Sequence, residues 1–391
     1  MMGLLQQLQR RTPLGWLQLR HEKGRLLVAL AGIAFADVLM FMQLGFQNAL
    51  YDSNTRVIRA MLADIVLLSP KALNLQNPST FARRRLLQAK DIPGVQTSTA
   101  LYVNSIAWKN PQTRLNANVR VFGFAPEQPT FNLPEVHQQL NKLKLPDTAL
   151  FDRGAKGQYA EVIAQVNQGK PVTAEVDRRT LTIAGLFRLG ASFGADANLM
   201  VSDQTFLRLF PRRDAASISL GLIRIRPGSN PLQVAAALKA HLPEDVRVLT
   251  AQEYVQFEEN YWKTTSPIGF VFGFGTTMAF VVGVVIVYQV LSTDVNAHLK
   301  EYATFKAMGY SNAYLLSIVF EEAVILAFLG FIPGAILPLG LYALAANATA
   351  LPIYMTASRA VFVFVLTVVM CALSGVIATR KLQSADPADM F

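Results

Sequence analysis

The chain has 391 residues, 52% of them hydrophobic and only 16% charged, with a mean hydropathy of +0.30. Soluble proteins carry about 25% charged residues, so this composition excludes an ordinary soluble globule; yet four spans of about 20 residues leave room for a sizeable water-exposed domain. The single cysteine, Cys371, excludes an intrachain disulfide and a cysteine-based zinc site, and the net charge of +10 must be located before nucleic acid is invoked.

Residues 1–24 read as a basic, amphipathic N-terminal segment. The first span, 25–47, is apolar apart from Asp37. It is longer than a signal-peptide core and lacks a small-x-small cleavage site, so it is expected to stay as an anchor. The apolar run begins too far beyond Arg10-Arg11 for a twin-arginine signal.

Residues 48–265 are soluble-like, with 26 Lys+Arg and 18 Asp+Glu, so most of the net charge lies there. Strands are predicted at 65–69, 95–108, 114–124, 172–187, 217–226 and 246–249, from alternation and β-branched content. Helices are predicted at 79–90, 135–144, 155–167 and 203–210. A further helix runs to His241 from Asn230 as N-cap, with Pro231 at N1. Thr250 and Glu253 match a capping box opening a stalk, whose aromatics Tyr254, Phe257, Tyr261 and Trp262 suit a membrane interface. The expected fold is therefore an α-helical membrane protein with four transmembrane helices and a large extracytoplasmic α+β domain between the first two.

Span two, 266–292, is free of charge. Residues 293–312 predict a short amphipathic helix with Asp294 as its cap. Val295, Leu299, Tyr302, Phe305 and Met308 form its apolar stripe, and Gly309 its C′ glycine. Such a helix either lies on lipid or docks on a partner. Span three, 313–345, carries Glu321, Glu322, Pro333 and Pro338, which predict a kinked or broken helix. A short outer loop, 346–359, precedes span four, 360–380, and a tail, 381–391.

Orientation follows from the lysines and arginines of the short segments. Arg10, Arg11, Arg20, Lys23, Arg25, Lys300, Lys306, Arg380 and Lys381 fall on one side, against Arg359 alone on the other. Both termini are thus expected in the cytoplasm and 48–265 outside, away from chromosomal DNA. The basic surface of that domain is either simply solvated or faces anionic lipid or an acidic partner.

No catalytic constellation is present. The four histidines are scattered, and neither HExxH, GxxxxGK[ST] nor GxSxG occurs; Gly169-Lys170 runs into Pro171. Asp37, about half-way along span one, reads as a protonated hydrogen-bond anchor partnered by Thr276, Thr277 or Gln289, or as a transport residue. Glu321 and Glu322 suit packing or proton coupling. Gly269-x-x-x-Gly273 and Gly330-x-x-x-Gly334 permit close helix approach.

The stretch from Lys300 to Gly309, KEYATFKAMG, resembles the turn after the second span in the MacB/FtsX class of ABC transporter permeases. Glu301, Ala307 and Gly309 fall on that pattern, with Lys300 where arginine is commoner. The opening WLQLRHEKGRLLVALAGIAFADVLMFMQLGF is similar to the DevC-type permeases of cyanobacterial exporters. The resemblance implies an inner-membrane homodimer with spans one and two, and hence Gly269 and Gly273, at its interface. It also implies a coupling helix, including Lys306, docked on a separate ABC ATPase (DevA-like), which carries the ATP and magnesium; this chain then binds no cofactor or metal of its own. A membrane-fusion protein (DevB-like), a TolC-like outer-membrane channel and glycolipid cargo complete what it implies. The alternative is an FtsX-like signalling scaffold that activates a cell-wall hydrolase without transport; an outward domain of about 220 residues favours the exporter.

Overall fold

The computed structural model describes residues 23–384, apart from 112 and 177–178. Arg10, Arg11, Arg20 and the end of the tail therefore lie outside the described residues. Four helices are long and apolar enough to cross a membrane: α1 (Lys23–Arg59), α8 (Pro267–Ala297), α10 (Asn312–Thr349) and α11 (Ala357–Ser384). The chain is a multi-pass membrane protein. It divides into two compact units, one built from the spans and one from residues 48–270 with 345–352.

The sheet unit contains β1 (Ile65–Leu68), β2 (Phe81–Ala82), α2 (Arg84–Lys90), β3 (Val95–Lys109), β4 (Asn116–Phe124), α3 (Pro134–His137) and a 3-10 turn, Leu140–Lys144. Then come β5 (Thr148–Asp152), α4 (Ala160–Asn167), β6 (Val172–Val176), β7 (Arg179–Phe187), β8 (Ala197–Ser202) and α5 (Asp203–Leu209). The order closes with β9 (Ser217–Ile218), β10 (Leu220–Ile225), α6 (Pro231–His241), β11 (Arg247–Thr250) and α7 (Ala251–Asn260).

The large sheet runs β11-β1-β10-β3-β4-β8-β5-β7-β6 and is mixed, with β4 and β5 parallel to β8 and β7 respectively. Strand β3 pairs with β10 through Leu101 and with β4 from Tyr102, and near its end Trp108 meets Val176 of β6. One long strand thus serves two sub-sheets, and the second closes on itself. Alternation sorts the side chains onto two faces: Ile65 and Leu67 join Tyr102, Trp108 and Phe206 in one core, while Val66 and Leu68 join Phe122, Phe124 and Tyr254 in the other. The α+β expectation holds.

Local chemistry sets the helix starts. The Asn230 side chain accepts the Leu232 N–H at 2.9 Å, and Ser202 accepts that of Thr205 at 3.1 Å. The Thr250–Glu253 capping box forms in both directions. Several bounds differ from expectation: the helix expected from 155 begins at Ala160, the one expected over 135–144 is a single turn and a 3-10 turn, and the strand expected over 172–187 divides into β6 and β7. The helix predicted from 79 begins at Arg84, because Ser79 adopts a positive φ of 53° and Phe81–Ala82 pair with β9 instead. Helix α1 continues past 47 to Arg59, since Val57 and Ile58 bury themselves in the second core. Helix α10 is not broken: it runs unbroken through Pro333 and Pro338.

In the membrane unit, glycines seat partners from other spans. A Cβ on Gly330 would lie 2.6 Å from Ile33, and one on Gly334 would lie 2.7 Å from the Asp37 Cβ. An i, i+4 pair on α1 thus drops into an i, i+4 pair of glycines on α10.

Candidate functional site

The short helix between spans two and three is α9 (Leu299–Ala307). It begins later than expected. Asp294 does not cap it, because α8 continues to Ala297 and the Asp294 carboxylate is engaged elsewhere, 3.9 Å from Arg25 and 3.7 Å from His298 Nδ1. The chain leaves helical geometry at His298 (φ −98°, ψ 15°), where α9 starts without a side-chain cap. Its C-terminus is a Schellman turn. Gly309 takes φ 91°, its N–H reaches the Lys306 carbonyl, the Tyr310 N–H reaches that of Phe305, and the rings of Phe305 and Tyr310 meet edge-on at 5.6 Å.

The apolar stripe is largely consumed within the chain. Val295 and Tyr302 are buried against Leu315, Ile318 and Val319 of α10, and Phe305 packs on the same cluster. Leu299 and Lys306 are half-buried. The expectation that the whole stripe waits for a partner groove is therefore corrected. The face left to solvent carries Lys300, Glu301, Thr304, Ala307, Met308 and Gly309, with Met308 60% exposed. The stripe's period was legible; that α10 folds back to cover it was not.

Around the start of this helix, Arg25, Asp294 and Glu322 line one small cavity. Glu322 is fully buried, whereas Glu321 is partly exposed, as adjacent helical positions must differ in direction.

Deeper in the bundle Asp37 is fully buried, and the Thr367 hydroxyl of α11 lies 2.7 Å from its Oδ1. The expected partners are displaced: Thr276 and Thr277 donate to the Phe272 and Gly273 carbonyls of their own helix. At the other end of α10, the buried Arg359 guanidinium donates to the Tyr354 carbonyl at 2.7 Å and stacks over Tyr342, whose hydroxyl donates to the Phe41 carbonyl. A Cβ on Gly269 would fall 1.9 Å from the Trp262 carbonyl of its own chain, while Gly273 has nothing within 4 Å. Gly269 thus serves an internal turn.

Among the described residues no group of three or more His, Cys, Asp or Glu is placed to hold a metal ion. The sheet domain contains two polar centres that sequence patterns missed. Buried Asp152 accepts N–H groups from Gly154, Leu189 and Gly190, and the Asn198 side chain. Glu258 of α7 accepts the Leu75 N–H and the Trp262 indole near buried Arg120. Burial pushes the Glu258 carboxyl above its ordinary range, against the pull of Trp262, Leu75 and Arg120. Burial likewise lowers the Arg120 guanidinium, while the nearby Glu258 opposes it.

No curated protein matches the chain. Among solved structures, the periplasmic region of MacB from Actinobacillus actinomycetemcomitans is similar at 15% identity and a TM-score of 0.34, over 52% of this chain and 96% of that one. The extracellular domain of the noncanonic ABC-type transporter YknZ from Gram-positive bacteria is similar at 11% identity and a TM-score of 0.31, over 48% and 99%. Residues 273–387, which hold α9, most of span two and spans three and four, match the FtsX-like permease C-terminal family.

Proposed function

We propose that this chain is the permease subunit of an ABC exporter, coupling ATP hydrolysis on a separate cytoplasmic subunit to movement of an outward sheet domain. The observation that carries the reading is the FtsX-like permease match over residues 273–387. In this reading α9 is the coupling helix. Its buried stripe (Val295, Tyr302, Phe305) fastens it to α10, so that force on the exposed face passes into spans two and three instead of bending the helix away. The docking groups are Lys300, Glu301, Ala307, Met308 and Gly309. Gly273, open on its own chain, is the position for a second copy in a homodimer. The opening sequence supports a DevC-like assembly with a DevA-like ATPase, a DevB-like fusion protein, a TolC-like channel and glycolipid cargo, in an inner membrane with both termini cytoplasmic.

The second reading, an FtsX-like scaffold that activates a cell-wall hydrolase, draws on the same family match. Purification of the tagged full chain from its native membranes separates them. Co-purification of a magnesium-dependent ATPase with a fusion protein supports the exporter; an ATPase with a hydrolase or its activator supports the scaffold; no ATPase at all overturns both. Met308→Asp should then release the ATPase while the chain keeps its thermal stability, because that side chain meets nothing it must unpack. Tyr302→Asp should destabilise the helix itself by burying a carboxylate. ATPase retention and activity unchanged in Met308→Asp would show that this face does not dock.

A further inference from the structure

Part of the positive charge of the sheet domain converges on one groove. Helix α5 stops at Leu209 because Pro211 disfavours helical geometry at Phe210, which takes φ −119° and ψ 70°. The chain then turns: the Arg213 N–H donates to the Phe210 carbonyl at 2.9 Å, with Pro211 in the second position, which its fixed φ suits. This turn sets Arg212 and Arg213 beside Arg179, which opens β7, and Asn104, on the part of β3 that pairs with β4. With Phe210 and Pro211 they line a groove of about 820 Å³. Sites for small ligands run from about 300 to 1,000 Å³.

The polar side chains of this groove offer donors and almost no acceptors. Arg213 Nη2 donates to the Ser219 hydroxyl at 2.7 Å and to the Val103 carbonyl at 3.3 Å, which fixes the guanidinium and leaves Nη1 without a protein acceptor. The Asn104 side-chain oxygen is spent on the Ser105 N–H at 2.9 Å, so its amide NH₂ is what remains. Arg179 and Arg212 are exposed, and neither has a hydrogen bond or ion pair among the described residues. No carboxylate lines the groove among the described residues. Asp214, next along the turn, accepts instead from the Ala216 N–H and the Ser217 hydroxyl. Three guanidinium groups around one groove repel one another until an anion enters. Burial also draws the Arg213 guanidinium below its ordinary value, and an anion would offset that cost.

Guanidinium forks match the oxygens of phosphate and sulfate, and an anion with three or more oxygens can use several forks together. Phe210, whose ring packs on Phe206 at 4.6 Å, and Pro211 supply an apolar wall beside them. An acidic protein partner would need a contact of about 1,200 Å² or more, whereas this groove holds one small molecule. The geometry points to the groove between Arg179, Arg212 and Arg213 as a binding site for a small molecule that carries a phosphate or sulfate group on an apolar body. The site stands apart from the exporter reading, and none of the measurements below needs an ATPase.

Calorimetric titration of phenyl phosphate into the full chain in phosphatidylcholine nanodiscs tests it. One saturable site is expected. Arg179→Gln and Arg212→Gln should each weaken binding about tenfold, the loss of one charge-assisted contact, while the unfolding midpoint stays put because both side chains are exposed. Arg226→Gln, an exposed arginine whose N–H meets the Gly94 carbonyl beyond the other end of β3, should bind as the wild type does. Inorganic phosphate should bind several-fold more weakly than phenyl phosphate; equal binding overturns the apolar body. Nanodiscs containing phosphatidate separate the sources of the anion. Displacement of phenyl phosphate there supports a lipid head group, and undisturbed binding supports a soluble ligand. Equal weakening by Arg226→Gln would reduce the effect to diffuse charge and overturn the site. Absence of saturable binding overturns it as well and leaves the groove to solvent or to an acidic protein surface.

Discussion

Asp152 in the sheet domain and Asp37 in span one are both completely buried aspartates, and they are satisfied in opposite ways. Asp152 collects three backbone N–H groups and one side-chain amide. Asp37 has the Thr367 hydroxyl on one oxygen; the other oxygen lies against Gly334, with no hydrogen-bond partner among the described residues. The difference comes from the backbone. Loops around a mixed sheet have unpaired N–H groups to offer, whereas nearly every N–H in a bundle of long helices is already bound to the carbonyl four residues earlier. A polar residue among spans therefore depends on rare side-chain donors such as Thr367, or on a glycine that lets a helix come close.

The largest expected effect follows from that contrast. Asp152→Ala would orphan several donors at about 1–3 kcal/mol each, enough to unfold the sheet domain. Thermal unfolding of the purified full chain should show its loss, and a cost no greater than that of Asp37→Leu would break the comparison. Next comes Gly334→Ala, whose Cβ would meet Asp37 at 2.7 Å. It should cost about 1–3 kcal/mol by overpacking. Gly273→Ala, with open space around it on its own chain, should escape that cost within the chain, and a lowered midpoint there would mark a second copy packed against it.

Asp37 itself sharpens the point. Asp37→Asn keeps the shape and the bond to Thr367 and should preserve the fold, while Asp37→Leu should cost about 1–2 kcal/mol by losing that bond between spans and crowding Gly334, the Thr367 hydroxyl falling back on the Val363 carbonyl of its own helix. Equal behaviour of the two would mean that the carboxyl does not anchor the bundle. Loss of efflux in Asp37→Asn with the fold intact would make it a transport residue.

The smallest effect lies at the stalk's cap. Thr250→Ala should cost about 1 kcal/mol of helix stability, visible as faster exchange at 251–254. The Glu253 carboxyl is held below its ordinary value by the Thr250 N–H. Its contribution is therefore complete above the ordinary carboxylate value near 4.5 and fades as pH falls below it, so α7 should fray on acidification. Exchange at 251–254 that does not rise with acid would remove the box from the account.

Legibility followed the same divide. The four spans and the caps at Asn230, Ser202 and Thr250 depend on neighbours a few residues apart, and of these the spans and the Asn230 and Thr250 caps were readable. Strands β5 and β8 escaped, because TALFD and ANLMVS are buried at every position and show no alternation. They are strands because β7, β4 and each other supply their hydrogen bonds.

Sequence alone determined the number of spans, the α+β character of the domain between them, and the short helix with its glycine stop at Gly309. These rest on length, periodicity and local capping, which act over a single turn or strand. Only the tertiary structure decided which face of that helix is free, that Asp37 meets Thr367, that Gly330 and Gly334 are the filled glycines and Gly273 the open one, and that Glu258 accepts the Leu75 N–H. Each of these pairs residues far apart in the chain, and the partner of a buried polar group or a missing side chain is chosen by the packing of whole elements, which no local pattern records.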